Sequence, residues 1–174
     1  MTKSKNTPRA TPARRDRLIR EHEHDIYKVR TKLPEPTICR QCGVVYHKGR
    51  WQWMPPPPSA HETLCPACKR IHDRCPAGYL TLEGSFLQEH ENEIRGLACN
   101  IEEREKGLHP LRRIMAIEKQ GGKILITTTE MDMARAIGDA IHHAYHGELK
   151  YAYADEANIL YVHWNRDVPE ASRR

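Results

Sequence analysis

Between residues 84 and 106 the side chains Phe86, Leu87, His90, Ile94, Leu97, Ala98 and Ile101 recur at three- and four-residue steps. That period predicts an amphipathic helix. Gly107 and Pro110 supply its stop, and Glu89, Glu91, Glu93, Glu102, Glu103 and Glu105 make its other face acidic. Further along, the period falls to two. Residues 114–118 and 123–128 predict two strands joined at Gly121-Gly122, which suits the positive backbone angles of a tight hairpin turn. A second helix is predicted over 130–146, with Met133, Ala134, Ile137, Ala140, Ile141, Ala144 and Tyr145 facing inward. Thr129 is its expected N-cap and Gly147 its stop. Leu149, Tyr151 and Tyr153 then alternate, and so do Leu160, Val162 and Trp164 after an Asp155-Glu156 turn. Strand, strand, helix, strand, strand over 108–167 predicts an α+β layer with one helix across a sheet.

Upstream of residue 84 neither period is sustained. Ile26, Tyr27, Val29 and Leu33 suit a short helix or docking arm that Pro34 and Pro36 interrupt. Trp51 and Trp53 alternate in a strand-like run, followed by a stiff spacer, Pro55-Pro56-Pro57-Pro58. The expected division is an arm over 1–36, a cysteine module over 37–82, a helix over 83–107, a ββαββ layer over 108–167 and a tail over 168–174.

Charge sharpens this division. The net charge is +5, and residues 1–20 carry seven Lys and Arg, Arg14 and Arg15 among them, against one Asp. Such an arm, poor in apolar residues, is expected to be disordered alone and to neutralise phosphates on contact, or simply to solubilise the chain. No run approaches the roughly 20 apolar residues of a membrane span, and no secretory-type apolar stretch follows the N-terminus. The expectation is a cytoplasmic protein, where six cysteines point to metal rather than disulfides.

The cysteines carry the clearest chemistry. Cys39-Arg40-Gln41-Cys42 and Cys65-Pro66-Ala67-Cys68 are two Cys-x-x-Cys knuckles, each able to turn two thiolates onto one ion. Four thiolates make the closed tetrahedral set that Zn2+ prefers in structural sites. The fold expected for 37–82 is therefore a four-cysteine zinc module of the zinc-ribbon or treble-clef kind. His72 and Cys75 lie just behind the second knuckle and could replace or orient a ligand, or be a surface histidine and a packed thiol. Cys99 is expected to act as a small core hydrophobe. Catalysis at the metal would need an open position, which four sulfurs deny. His142 and His146 share a helix face, but His143 stands where a metalloprotease helix carries its glutamate.

Around the knuckles lie Arg40, Lys48, Arg50, Lys69, Arg70 and Arg74 against Glu62 and Asp73, interleaved with Tyr46, Trp51 and Trp53. Basic zinc modules with aromatic rings suit RNA, because cations meet phosphates and rings stack on unpaired bases. Both Trp could instead be core of a small zinc domain.

The pattern Cys39-x-x-Cys42-Gly43, Trp51, Cys65-x-x-Cys68-x-Arg70 and Gly78-Tyr79, continued by residues 105–107, 122–128, Ala134-Arg135 and the 147–164 hairpin ending in Arg166, resembles the large-subunit export adaptor family named for nonsense-mediated decay. The resemblance spans residues 37–167 and implies binding to the large ribosomal subunit or its rRNA. The family's upstream cysteine pairs have no counterpart in residues 1–38, and its later domains have none before Arg174. Nuclear export is therefore not implied, and the expectation is a short, bacterial-type factor in ribosome assembly, quality control or dormancy. On this reading the protein is not an enzyme and takes no small-molecule substrate. The alternatives are a zinc-stabilised protein-interaction module without RNA, and a metal- or thiol-dependent enzyme using Cys75, His142 or His146.

Overall fold

The computed structural model describes Tyr27, residues 32–154 and residues 158–169. Arg14 and Arg15 in the basic arm, the Asp155-Glu156 turn and the end of the 168–174 tail lie outside the described residues.

The cysteine module is a small sheet followed by a short helix. Strands β1 (Thr37–Cys39), β2 (Val45–His47), β3 (Arg50–Gln52) and β4 (His61–Thr63) are ordered β3-β2-β1-β4, and α1 (Pro66–Asp73) follows. The chain reverses twice at glycines with positive φ, at Gly43 (φ 77) after the first knuckle and at Gly49 (φ 76) between β2 and β3. The tetraproline lies between β3 and β4, and β4 runs parallel to β1 with Thr63 opposite Cys39. That pairing sets the second knuckle beside the first.

The second sheet takes β5 (Gly78–Glu83), β6 (Ile114–Gln120), β7 (Lys123–Thr128), β8 (Glu148–Ala154) and β9 (Ile159–Asn165) in the order β6-β7-β5-β9-β8. Helices α2 (Ser85–Leu108) and α3 (Met131–Tyr145) complete it. The strand, strand, helix, strand, strand run of 114–165 is present, but β5 sits in the middle of its sheet, parallel to β9 and antiparallel to β7. The boundary drawn in the sequence at residue 82 falls inside this strand. The reason β5 is central is its alternation: Leu80 and Leu82 are fully buried, while Tyr79 and Thr81 face the other way.

One face of this sheet holds the main core. Leu80, Leu82, Ile124, Ile126, Leu160, Val162 and Trp164 pack against Phe86, Ile94 and Ala98 of α2 and Met133, Ile137 and Ile141 of α3. Helix α3 lies close because Gly138 has no side chain: a Cβ there would meet Val162 Cγ1 at 2.8 Å. The opposite face carries no helix of the described chain.

Three local expectations change. Glu130, not Thr129, is the N-cap of α3. The buried Thr129 hydroxyl instead accepts from the Arg113 N–H at 2.9 Å and donates to the Leu111 carbonyl, fixing the loop into β6. Cys99 is exposed, one position past the inward Ala98 and therefore about 100° around the helix. Helix α2 departs from helical angles at His90 (φ −118), where the imidazole stacks on Phe86.

Candidate metal centre and cationic surface

Four thiols meet where β1, the turn after it, and the start of α1 converge. Cys39 ends β1, and the knuckle closes as the Gly43 N–H bonds the Cys39 carbonyl at 2.8 Å. Cys65 is the N-cap of α1, with Pro66 in the first turn, where its missing N–H costs nothing. Its sulfur accepts from the Cys68 N–H at 3.4 Å, and the Cys65 N–H donates to the Cys39 sulfur at 3.3 Å. Backbone N–H groups and a helix N-terminus thus aim positive charge at the sulfurs.

The four Sγ atoms lie within 4.8 Å of one another, and Cys39, Cys65 and Cys68 are buried. A regular tetrahedron with sulfur–metal bonds of about 2.3 Å has edges of about 3.8 Å. The Cys42–Cys65 sulfur separation is 3.7 Å, so the donor set fits a soft four-coordinate ion without rearrangement. The titration of the thiols shows what an ion would have to displace. Burial pushes Cys39 up, but the N–H groups of Cys65, Cys42 and Gln41 outweigh it and bring its pKa to about 7. Burial and the neighbouring sulfurs push Cys65 well above its ordinary value and Cys68 to about 11. Four thiolates cannot share this space without a cation, and a divalent ion resolves the conflict while displacing protons.

The sequence did not reveal Arg113, which completes this centre. It is 7% exposed; Nη2 donates to the Cys42 sulfur at 3.1 Å, Nη1 to the Cys68 sulfur at 3.5 Å, and Nε to the Pro110 carbonyl at 2.9 Å. Burial opposes its charge, but the sulfurs of Cys42, Cys65 and Cys68 more than offset this and its pKa is raised. Four thiolates around a divalent ion would carry a net charge of −2, and Arg113 would neutralise half of it. It also ties the module to the second sheet, because Arg113 immediately precedes β6. Trp53 makes a parallel tie, donating Nε1–H to the Lys106 carbonyl at 2.7 Å. No local signal marked Arg113, since Cys42 lies 71 residues away.

The other candidate ligands stay apart. Cys75 is exposed and outside the quartet, and His72 bonds Asp73 at 2.9 Å in solvent. His142, His143 and His146 are exposed at the end of α3 and join no cluster of three or more metal-ligating groups among the described residues.

The basic residues divide into two kinds. Arg40, Lys48, Arg50 and Arg74 are exposed, and none forms an ion pair with a described residue. Lys69 is half-buried on α1 beside Asp73. Arg70 is a correction. It is 8% exposed, bonds the Cys75 carbonyl at 3.0 Å and lies 4.4 Å from the Tyr27 ring centroid. A guanidinium folded under the end of α1 is not presented to a phosphate. Trp51 is half-buried, edge-on to Tyr46 and packed against the cysteine cluster. Its remaining surface and Arg50 line a cleft of about 300 Å³ shared with Leu108, His109, Arg112 and Glu130.

No helix among the described residues is long and apolar enough to cross a membrane. No protein-family model, curated protein or solved structure matches this chain.

Proposed function

We propose that this chain is a zinc-folded, non-enzymatic RNA-binding protein acting on the large ribosomal subunit or its rRNA, in assembly, quality control or dormancy. Zinc is the ion because four thiolates in a closed tetrahedral set suit it better than harder divalent metals. The knuckle, hairpin and knuckle-capped helix are a treble-clef-like arrangement around that ion. The observation that carries the RNA reading is the group of exposed cations on the metal-folded module, Arg40, Lys48, Arg50 and Arg74, whose side chains form no ion pair with a described residue, although Glu35 accepts from the Lys48 backbone N–H. Such cations release the counterions of a phosphate backbone at little internal cost. Beside them, the cleft with Arg50 and Trp51 offers a guanidinium next to an indole, a pairing that suits a base and its phosphate. The choice of the large subunit rests on the sequence resemblance alone.

The test is sedimentation of the tagged protein with ribosomal particles over a salt series. Co-migration with the large subunit at low salt, lost as salt rises, is expected. Joint charge reversal of Arg40 and Arg50 should move the loss to lower salt. Wild-type protein remaining at the top of a low-salt gradient would overturn the reading.

A further inference from the structure

The hairpin turn between β2 and β3 already holds an oxyanion. His47 lies opposite Arg50, so Lys48 and Gly49 are the two central residues of the turn. Both take positive φ, 52° and 76°, the combination of a type I′ turn. That backbone leaves their N–H groups outside the strand ladder as neighbouring donors, the arrangement of an anion nest. One carboxylate takes both: Glu35 Oε2 accepts from the Lys48 N–H at 2.7 Å, and Oε1 from the Gly49 N–H at 3.2 Å. Two backbone donors thus recognise the two oxygens of a single anionic group.

The surroundings exceed what an anchoring glutamate needs. Lys48 and Arg50 are exposed, and the side chain of neither forms an ion pair with Glu35 or any other described residue. Glu35 is exposed too, so anions in solution can reach the contact. The segment that carries it is held by other bonds: the Thr37 hydroxyl donates to the Pro34 carbonyl, and the His61 N–H donates to the Pro36 carbonyl at 2.9 Å. The carboxylate can therefore leave the turn while its backbone stays in place. A phosphodiester offers the same recognition elements, one negative charge and two free oxygens on one atom, and it would meet two cations that Glu35 leaves unpaired. The turn runs directly into Arg50 and Trp51, which line the cleft described above.

We infer that the Lys48-Gly49 turn is a binding site for an RNA phosphodiester, and that Glu35 occupies it as an internal mimic until a phosphate displaces it. This rests on the RNA-binding reading above and deepens it, naming the group bound and the residue that competes with it. A tethered carboxylate acts at an effective concentration on the order of millimolar. It lowers the apparent affinity for RNA in proportion to the time it fills the turn.

The test measures binding of the full chain to a fluorescent oligouridylate of about 12 nucleotides, with backbone amide NMR shifts recorded over the same titration. Glu35→Ala is expected to tighten binding by about three- to tenfold. The Lys48 and Gly49 amides should shift as RNA is added, and at lower RNA in the variant than in the parent. Glu62→Ala removes an exposed carboxylate from β4 and controls for net charge; it should tighten binding by less than about twofold. Equal tightening by the two variants would overturn the inference and leave the RNA reading standing. So would Lys48 and Gly49 amides that stay still while that of Arg40 moves. Weaker binding in Glu35→Ala would also overturn it, because the carboxylate would then be holding the module's RNA-binding shape. If neither parent nor variant binds the oligouridylate, both readings fall.

Discussion

The cysteine module and the second sheet are held by different forces and present different surfaces. In the module the buried apolar set is Val44, Val45, Ala67 and three of the cysteines, Cys39, Cys65 and Cys68, with Cys42, Trp51 and Leu64 half-buried around the cluster. In the second sheet a continuous apolar face is sealed by two helices. The charges divide in the same way. Arg40, Lys48, Arg50 and Arg74 of the module have no ion pair among the described residues, whereas Lys119 bonds Glu91 at 2.6 Å, Lys150 bonds Glu148 at 2.7 Å, and Arg112 reaches Glu105 and Asp132. If the module folds around an ion, as proposed, it need not balance its surface charge internally. The sheet region folds on its own apolar surface and pairs several of its charges within itself.

The largest effect should come from removing the metal. Structural zinc contributes about 10–16 kcal/mol to small modules, far more than the few buried side chains here supply. A chelator, or Cys65→Ser, is expected to abolish amide-exchange protection over 37–73 while the β5, β7 and β9 amides stay protected. Simultaneous loss of protection in both regions would show that they are one cooperative unit. The reverse experiment is smaller. Leu82→Ala removes a fully buried side chain from the sheet core and should cost about 2–5 kcal/mol. The variant should still bind one equivalent of zinc by mass spectrometry. Loss of zinc along with sheet stability would contradict the separation.

What the sequence disclosed follows the same division. The clustering of Cys39, Cys42, Cys65 and Cys68 was legible because a Cys-x-x-Cys knuckle is a local device, and its spacing brings two thiols together. Helices α2 and α3 and the β6–β7 hairpin were legible because periodicity and the Gly121-Gly122 turn are local too, and both glycines take positive φ. Strand β5 was harder to place: its Leu80/Leu82 alternation is plain, but nothing nearby says that β9, about 80 residues later, will pair with it. Arg70 and Arg113 show the limit most clearly. Neither differs in type from the exposed arginines around it, and only the tertiary fold turns Arg70 under α1 and Arg113 onto the sulfurs.

Arg113 is where the two regions touch, so its loss tests how far they are coupled. Arg113→Met keeps much of the side-chain volume and removes the N–H···S bonds and the positive charge. Zinc affinity, measured by competition with a chromophoric chelator, should fall by about 10–100-fold, as expected when a partner of metal ligands is removed. The sheet should keep most of its stability, because the variant leaves its apolar face intact. An unchanged zinc affinity would mean that the Arg113 contacts hold the regions together without tuning the metal.

The smallest expected effect lies wholly within the sheet and separates acid sensitivity of the two regions. Glu83 on the open face is bonded by Lys123 and lies 2.6 Å from His163 Nε2. The Lys123 bond, with His163 adding to it, holds the Glu83 carboxyl below its ordinary 4.5. The unfolded chain therefore binds this proton more readily than the folded one, and the linked stability is present above pH 4.5 and lost as pH falls through the folded value. For a solvent-exposed cluster the contribution is about 0.2–1 kcal/mol. Acid also releases zinc, as protons retake the thiolates, so the readout must be exchange of the β5 and β9 amides rather than a whole-chain signal. Glu83→Gln should lower sheet stability slightly at neutral pH, and its deficit against the parent should close as pH falls below 4.5 and through the lowered folded value. A deficit constant from about pH 7 to about pH 3 would show that the glutamate acts through packing, and that the sheet's charges are not balanced internally in the way that sets it apart from the metal module.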